Sequence, residues 1–206
     1  MVVSPLLQRG NRQKLQMSDK ASLRKDLRAA RAAHVKAIPA NVRALLFRQP
    51  PAPLLALIPT SAIIGLYHAG RDEAPAAAYA RFFSESGHTI ALPRFDGDDE
   101  AMQFAEYDDP FGESGLEKGI SDIMQPTGDS RALTPDVLFM PVIGFTASGE
   151  RLGQGGGHYD RWLAANPETI TIGMGWDSQL MDELPIEPHD QNLTAVVTPT
   201  RLYGPF

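Results

Sequence analysis

Arg151 opens the run Arg151-Leu152-Gly153-Gln154-Gly155-Gly156-Gly157-His158-Tyr159-Asp160, in which a cation, four glycines and a carboxylate fall within ten residues. Glycine loses more backbone entropy on folding than any other residue, so three in succession need a reason. A flexible turn is one. The other is a loop whose backbone N–H groups approach an anion at the N-terminus of a helix. Arg151 would add a planar cation able to reach two phosphate oxygens at once. Two common phosphate-binding patterns fail here. After the glycines comes His158 rather than Lys-Ser or Lys-Thr, and His158 also occupies the last glycine position of the dinucleotide fingerprint. From the residues alone, phosphate binding and a plain turn both stay open.

The elements that would carry this loop follow from periodicity. Ser18 and Asp19 can cap a helix whose apolar side runs through Leu23, Leu27, Ala30 and His34, with Lys and Arg elsewhere. A second helix is expected from Asn41 to Arg48, ended by Pro50 and Pro51. The segments AIIGLY, HTIALP and MQFAEY read as strands, and EAPAAAYARFFSESG as a helix with Pro75 in its first turn and Gly87 beyond its end. Residues 108–134 are rich in Gly, Pro, Asp and Ser and read mainly as loop. DVLFMPVIGF is a continuous apolar strand, the pattern of a sheet covered on both faces. After the glycine loop come helix HYDRWLAAN, strand TITIGMGW, a short helix at 178–181 and strand LTAVV. Strands alternating with helices imply a three-layer α/β/α fold on a mostly parallel sheet. In such a sheet the glycine loop lies at the carboxyl end of a strand, where ligands bind. Phe82, Phe83 and Trp162 read as core.

The bulk properties narrow the function. The chain has 206 residues, 43% hydrophobic and 21% charged, enough for one sizeable domain. We expect a flexible extension over 1–17 and a single catalytic α/β domain over 18–206. A formal net charge of −6 argues against nucleic acid as partner. The sequence contains no cysteine, which excludes disulfides, cysteine-ligated zinc and a cysteine nucleophile. The opening MVVSPLL lacks a basic leader region, and the apolar stretch from Pro53 to Tyr67 is broken by Pro59, Thr60 and Ser61. The expectation is a cytoplasmic protein without membrane contact, and a monomer.

RLGQGGGHYDR, preceded by MPVIGFTASGE, resembles the 5-formyltetrahydrofolate cyclo-ligase family, also known as 5,10-methenyltetrahydrofolate synthetases. Pro141, Phe145, Arg151, Leu152, Gly153, Gly155, Gly156, Gly157, Tyr159 and Asp160 match its central pattern. KASLR near the N-terminus, Asp72-Glu73, LPRF and the closing acidic turn LPIEPHDQNL match further pieces in the family's order, so the likeness runs from Lys20 to about Val197. His158 departs from it, standing where tyrosine is common.

The resemblance implies ATP-dependent closure of 5-formyltetrahydrofolate to 5,10-methenyltetrahydrofolate, with ATP as co-substrate and Mg2+ as cofactor. It implies ATP contacts from Lys20 and Arg24 and from the run Arg151, Leu152, Gly153, Gln154, Gly155, Gly156, Gly157, His158 and Tyr159. It implies folate contacts from His68, Glu73 and the loop from Gln154 to His158. Asp160 and Asp190 match magnesium ligands, and Arg151 and Asp160 are expected to carry catalysis. Each residue also has a plainer reading. Lys20 and Arg24 suit a solvated helix face, Asp160 a helix dipole, Asp190 a turn, Glu73 a first helical turn and His68 a half-buried strand. A tyrosine at the position of Tyr159 is more often a packing residue than a ligand contact. For His158, nearby phosphate favours the charged ring and a helix N-terminus disfavours it, so the direction of its pKa stays open. A silent folate- or nucleotide-binding protein and a sugar-phosphate isomerase are the readings from other classes.

Overall fold

The computed structural model describes residues 5–43, 45–97, 100–119, 123–187 and 190–206, with side chains from Lys20 onward. The elements in chain order are α1 (Pro5–Ala37), α2 (Ala40–Arg43), α3 (Ala52–Leu55), β1 (Ile63–Gly65), α4 (Ala77–Glu85), β2 (Thr89–Arg94), β3 (Gln103–Glu106), β4 (Leu116–Lys118), β5 (Met124–Pro126), β6 (Ala132–Leu133), β7 (Val137–Pro141), β8 (Gly144–Thr146), β9 (Arg151–Leu152), α5 (His158–Ala165), β10 (Ile170–Met174), a 3-10 turn (Asp177–Gln179), β11 (Leu180–Met181), β12 (Ala195–Val197) and β13 (Leu202–Tyr203).

Eight strands form the main sheet in the order β13-β12-β10-β7-β1-β2-β3-β6. The inner run β12-β10-β7-β1-β2 is parallel, and β13, β3 and β6 add antiparallel edges. Along β7 the side chains alternate between two cores. Val137 and Phe139 join α4 residues Tyr79 and Phe83 on one face, while Leu138 and Met140 join Leu163 of α5 on the other. Both faces are therefore dry, which explains the unbroken apolar run in the sequence, and the layers are the α/β/α expected. Phe83 is fully buried, while Phe82 and Trp162 pack half-buried against these cores.

From β1 the chain crosses through α4 to β2 on one side, whereas β7, β10 and β12 build outward on the other. The order reverses between β1 and β7, and ligands in such sheets bind beyond the carboxyl ends of the strands at that point.

Several elements differ from the sequence reading. The α1 helix starts at Pro5 rather than Ser18, since Gln, Arg, Lys, Leu and Met in between are good helix formers. The expected caps Ser18 and Asp19 lie outside the residues with described side chains, as do residues 1–4 altogether. The second helix stops at Arg43. Phe47 takes a left-handed backbone (φ 56) and drops its ring against Trp176, 5.6 Å between centroids. The expected strand DVLFMPVIGF is two strands, because the chain leaves the main sheet after Pro141 and β8 joins a small separate sheet with β9 and β11. The region read as loop holds β4, β5 and β6, each of two or three residues, too short to show a period.

Candidate active site

Three adjacent parallel strands end beneath one cavity of about 720 Å3, to which their carboxyl ends contribute Tyr67 and His68, Pro93 and Phe95, and Pro141. Its rim comes from α1, the turn before α4, the glycine loop, the first turn of α5, β5 and the segment around Asp190. A volume in this range suits a small-molecule ligand.

The glycine loop joins β9 to α5. Gly155 (φ 107) and Gly157 (φ 65) hold backbone angles that side-chain-bearing residues rarely adopt. Gly157 is the N-cap of α5, so the helix begins only because that position can be left-handed. Arg151 is not in the loop itself. It lies buried on β9 and donates from Nη2 to Asp160 in the first turn of α5, while its Nε has no hydrogen-bond partner among the described residues. The pair joins the two ends of the loop. Tyr159 packs against the core beside α5. Burial pushes its phenol well above the ordinary range, with the Glu73 charge adding to the effect, so it is a neutral hydroxyl at any working pH.

His158 sets its ring edge-on to Phe95, with centroids 4.9 Å apart. Arg161 Nη2 lies 3.1 Å from His158 Nδ1. A guanidinium can only donate, so Nδ1 accepts and the proton resides on Nε2. Burial first, and then the Arg161 charge, hold the imidazole below its usual pKa of 6.5. Within the protein itself, both effects favour the neutral ring.

One face of α1 supplies most of the cations. Lys20, Arg24, Arg28 and Arg31 follow at steps of four, four and three, which stacks them on one side of a helix. Lys20 is 4% exposed and ion-pairs with Glu187 at 2.8 Å and Asp190 at 2.7 Å. Arg24 Nε donates to the Gly153 carbonyl at 2.9 Å. Arg28 donates to the Gln154 carbonyl at 2.8 Å and to its side-chain oxygen at 3.1 Å. Arg31 stands 3.8 Å from Glu73. Lys20 and Arg24 therefore do not form a solvated face. They are docked against two separate parts of the cavity wall.

Glu73 sits in a turn before α4 rather than in its first helical turn. The Gly70 N–H donates to its Oε2 at 2.8 Å, and Gln154 Nε2 to its Oε1 at 2.8 Å. The neighbouring Asp72 instead offers its carbonyl to Trp176 Nε1 at 3.0 Å. His68 lies past the end of β1, exposed at the cavity mouth. Leu152 is buried beneath the loop. All the residues expected from the sequence to touch ATP, folate or metal line this one cavity. Of the closing acidic turn, Pro188 and His189 lie outside the described residues.

The sequence reading missed the apolar wall of Phe95, Met102, Ile123 and Met124, together with Gln125. Gln125 is buried and exchanges two 3.1 Å hydrogen bonds with the backbone of Phe95, fixing β5 beside the end of β2. The only signal was apolar Ile123 and Met124 within a polar stretch. Arg28 and Arg31 were missed too, though their helical spacing from Lys20 and Arg24 would have found them.

Among the described residues no group of three or more His, Asp or Glu side chains gathers as a metal site. Magnesium needs less from a protein, one or two carboxylates with substrate phosphates and water completing its shell. Asp160 and Asp190 both line the cavity and fit that requirement, Asp160 paired with Arg151 and Asp190 with Lys20.

The model of the 5-formyltetrahydrofolate cyclo-ligase family matches residues 16–199. The 5-formyltetrahydrofolate cyclo-ligase of Escherichia coli strain K12 is 41% identical over 87 residues, which cover 39% of this chain and 48% of that protein. The chain thus matches about half the length of that relative. The mouse protein of the same name is 26% identical over 145 residues, 65% of this chain and 71% of its own. The solved structure of Aquifex aeolicus 5,10-methenyltetrahydrofolate synthetase superposes with a TM-score of 0.72 at 22% identity, covering 90% of this chain and 92% of that one. That of Mycoplasma pneumoniae gives 0.64 at 22% identity, covering 86% and 97%. The two structures bear on the fold.

Proposed function

This chain belongs to the 5-formyltetrahydrofolate cyclo-ligase family, and from that premise we propose that it closes 5-formyltetrahydrofolate to 5,10-methenyltetrahydrofolate at the expense of ATP. The observation that carries the reading is the single cavity lined by Lys20, Arg24, the glycine loop, Glu73, Asp160 and Asp190. Cations and backbone N–H groups suit a nucleotide's phosphates, and the carboxylate of Glu73 suits the N–H edge of an aminopyrimidine. The reading extends to a cytoplasmic monomer; among the described residues no helix is long and apolar enough to cross a membrane.

The formyl oxygen is a poor leaving group until it is phosphorylated. In the first step it attacks the γ-phosphorus of ATP, the bond to the bridging oxygen breaks, and ADP departs. In the second, the neighbouring folate amine attacks the formyl carbon and loses its proton. The carbon–oxygen bond then breaks, inorganic phosphate leaves, and the methenyl bridge is formed.

The protein's part is to position two substrates and to offset negative charge. Lys20, Arg24 and the N–H groups from Gly153 to Gly157 hold the phosphates. Arg151 faces the developing charge from below the loop. Glu73 orients the pterin, with His68, Gln154 and His158 around it, and Leu152 and Tyr159 support the loop from the core side. Asp160 and Asp190 would hold the magnesium ion, which when bound supplies charge neutralisation at the phosphates.

The test is direct. The purified protein is mixed with 5-formyltetrahydrofolate, ATP and magnesium, and the methenyl chromophore is followed by absorbance. Product formed equally well without ATP would sink the reading, as would ATP hydrolysis without methenyl product.

A further inference from the structure

Of the four cations on this face of α1, Arg31 alone bonds to neither the glycine loop nor the Asp190 segment among the described residues. It is 9% exposed. Its Nε and Nη1 are buried without a hydrogen-bond partner among the described residues. Unmet buried donors on a charged group are costly, so the fold keeps this guanidinium for a compensating interaction. The charge nearest it is Glu73, whose Oε1 lies 3.8 Å from Nη1. That separation exceeds a hydrogen bond, and the two side chains, 10% and 13% exposed, still attract each other across it.

Glu73 is thereby held from several sides. The Gly70 N–H takes Oε2 and Gln154 takes Oε1, while Tyr67 and Tyr159 face it as neutral phenols, both kept protonated chiefly by burial. A carboxylate offers about four lone-pair sites, so two donors leave it capacity for a ligand. Without Arg31, the holds left on Glu73 would be the Gly70 N–H on Oε2 and Gln154 on Oε1, and Gln154 is itself gripped by Arg28. The Oε1 side of the carboxylate would then follow the loop rather than stand ready for the ligand.

We propose that Arg31 is a positioning residue that anchors the Glu73 carboxylate so that it can accept the paired N–H donors of the folate aminopyrimidine edge. This rests on the folate reading of the cavity.

The experiment compares Arg31→Met, Arg31→Lys, Glu73→Gln and the double variant Arg31→Met/Glu73→Gln. Direct binding of 5-formyltetrahydrofolate without ATP is measured by calorimetry, alongside the Michaelis constants. Arg31→Met should weaken folate binding by about tenfold or more, with the Michaelis constant for ATP and kcat each within about threefold of wild type. Arg31→Lys should recover most of the affinity. On the Glu73→Gln background, Arg31→Met should cost less than about twofold further, because the group it acts through is already gone. Additive losses in the double variant, or equal losses for ATP and folate, overturn the proposal. Should Arg31→Met not fold, Arg31→Lys and its Glu73→Gln double variant make the same comparison with smaller changes. A wild-type chain that binds no 5-formyltetrahydrofolate overturns the folate reading itself, and that failure appears in the unsubstituted protein.

Discussion

Lys20 Nζ lies 2.7 Å from Asp190 Oδ2, joining the N-terminal helix to a turn 170 positions later in the chain. The lysine is almost wholly buried, and Glu187 is its second partner at 2.8 Å. Asp190→Asn keeps the shape but removes half of the compensation for a buried ammonium. We expect a loss of about 1–3 kcal/mol in stability and a raised Michaelis constant for ATP, because Lys20 is then held by the Glu187 carboxylate without that of Asp190. Chemical denaturation and ATP titration check the two effects. An unchanged protein in both assays would show that Glu187 alone holds the lysine.

Asp160 is bonded to Arg151 across the base of the glycine loop. Asp160→Asn removes its charge at constant size. Turnover should fall by roughly a hundredfold or more, with the fold retained by circular dichroism. Wild-type turnover across a range of magnesium concentrations would remove Asp160 from both the metal and the catalytic roles.

Arg24 grips the Gly153 carbonyl from outside the loop. Arg24→Ala should raise the Michaelis constant for ATP about ten- to hundredfold, the worth of a charge-assisted hydrogen bond, and disturb folate less. Deleting residues 1 to 16 should leave both nearly unchanged, since the family match begins at residue 16. Equal effects of Arg24→Ala on the two substrates would mean that it supports the helix instead.

His158 is held below its usual pKa of 6.5 by burial and by Arg161. A depressed histidine favours the folded state fully above 6.5, and that contribution is lost as the pH falls through the lower folded-state value. Melting temperature should therefore drop on acidification in wild type, and part of that drop should vanish in His158→Tyr. The variant should keep turnover within about tenfold, because phosphorylation supplies the leaving group without a histidine base. A collapse of several orders of magnitude, with ATP affinity intact, would assign proton chemistry to His158.

Sequence alone determined the parts whose physics is local. Three consecutive glycines before HYDRW mark a loop running into a helix start, and there Gly155 and Gly157 take left-handed backbone. The unbroken run VLFMP announces a strand dry on both faces, which β7 is. The likeness to one family named Lys20, Arg24, Glu73, Asp160 and Asp190, and these line one cavity. Tertiary structure decided what depends on distant partners. It buried Lys20 between two carboxylates, tied Arg151 to Asp160, and set Arg31 against Glu73 across a gap no spacing reveals. It also made strands of the segments around Met124 and Ala132, where two or three residues hold a strand through pairing with Leu116–Lys118 and with Phe104 and Ala105. Backbone angle and helix spacing are properties of a few adjacent residues, whereas ion pairs and edge strands form only when the fold brings remote segments within hydrogen-bond reach.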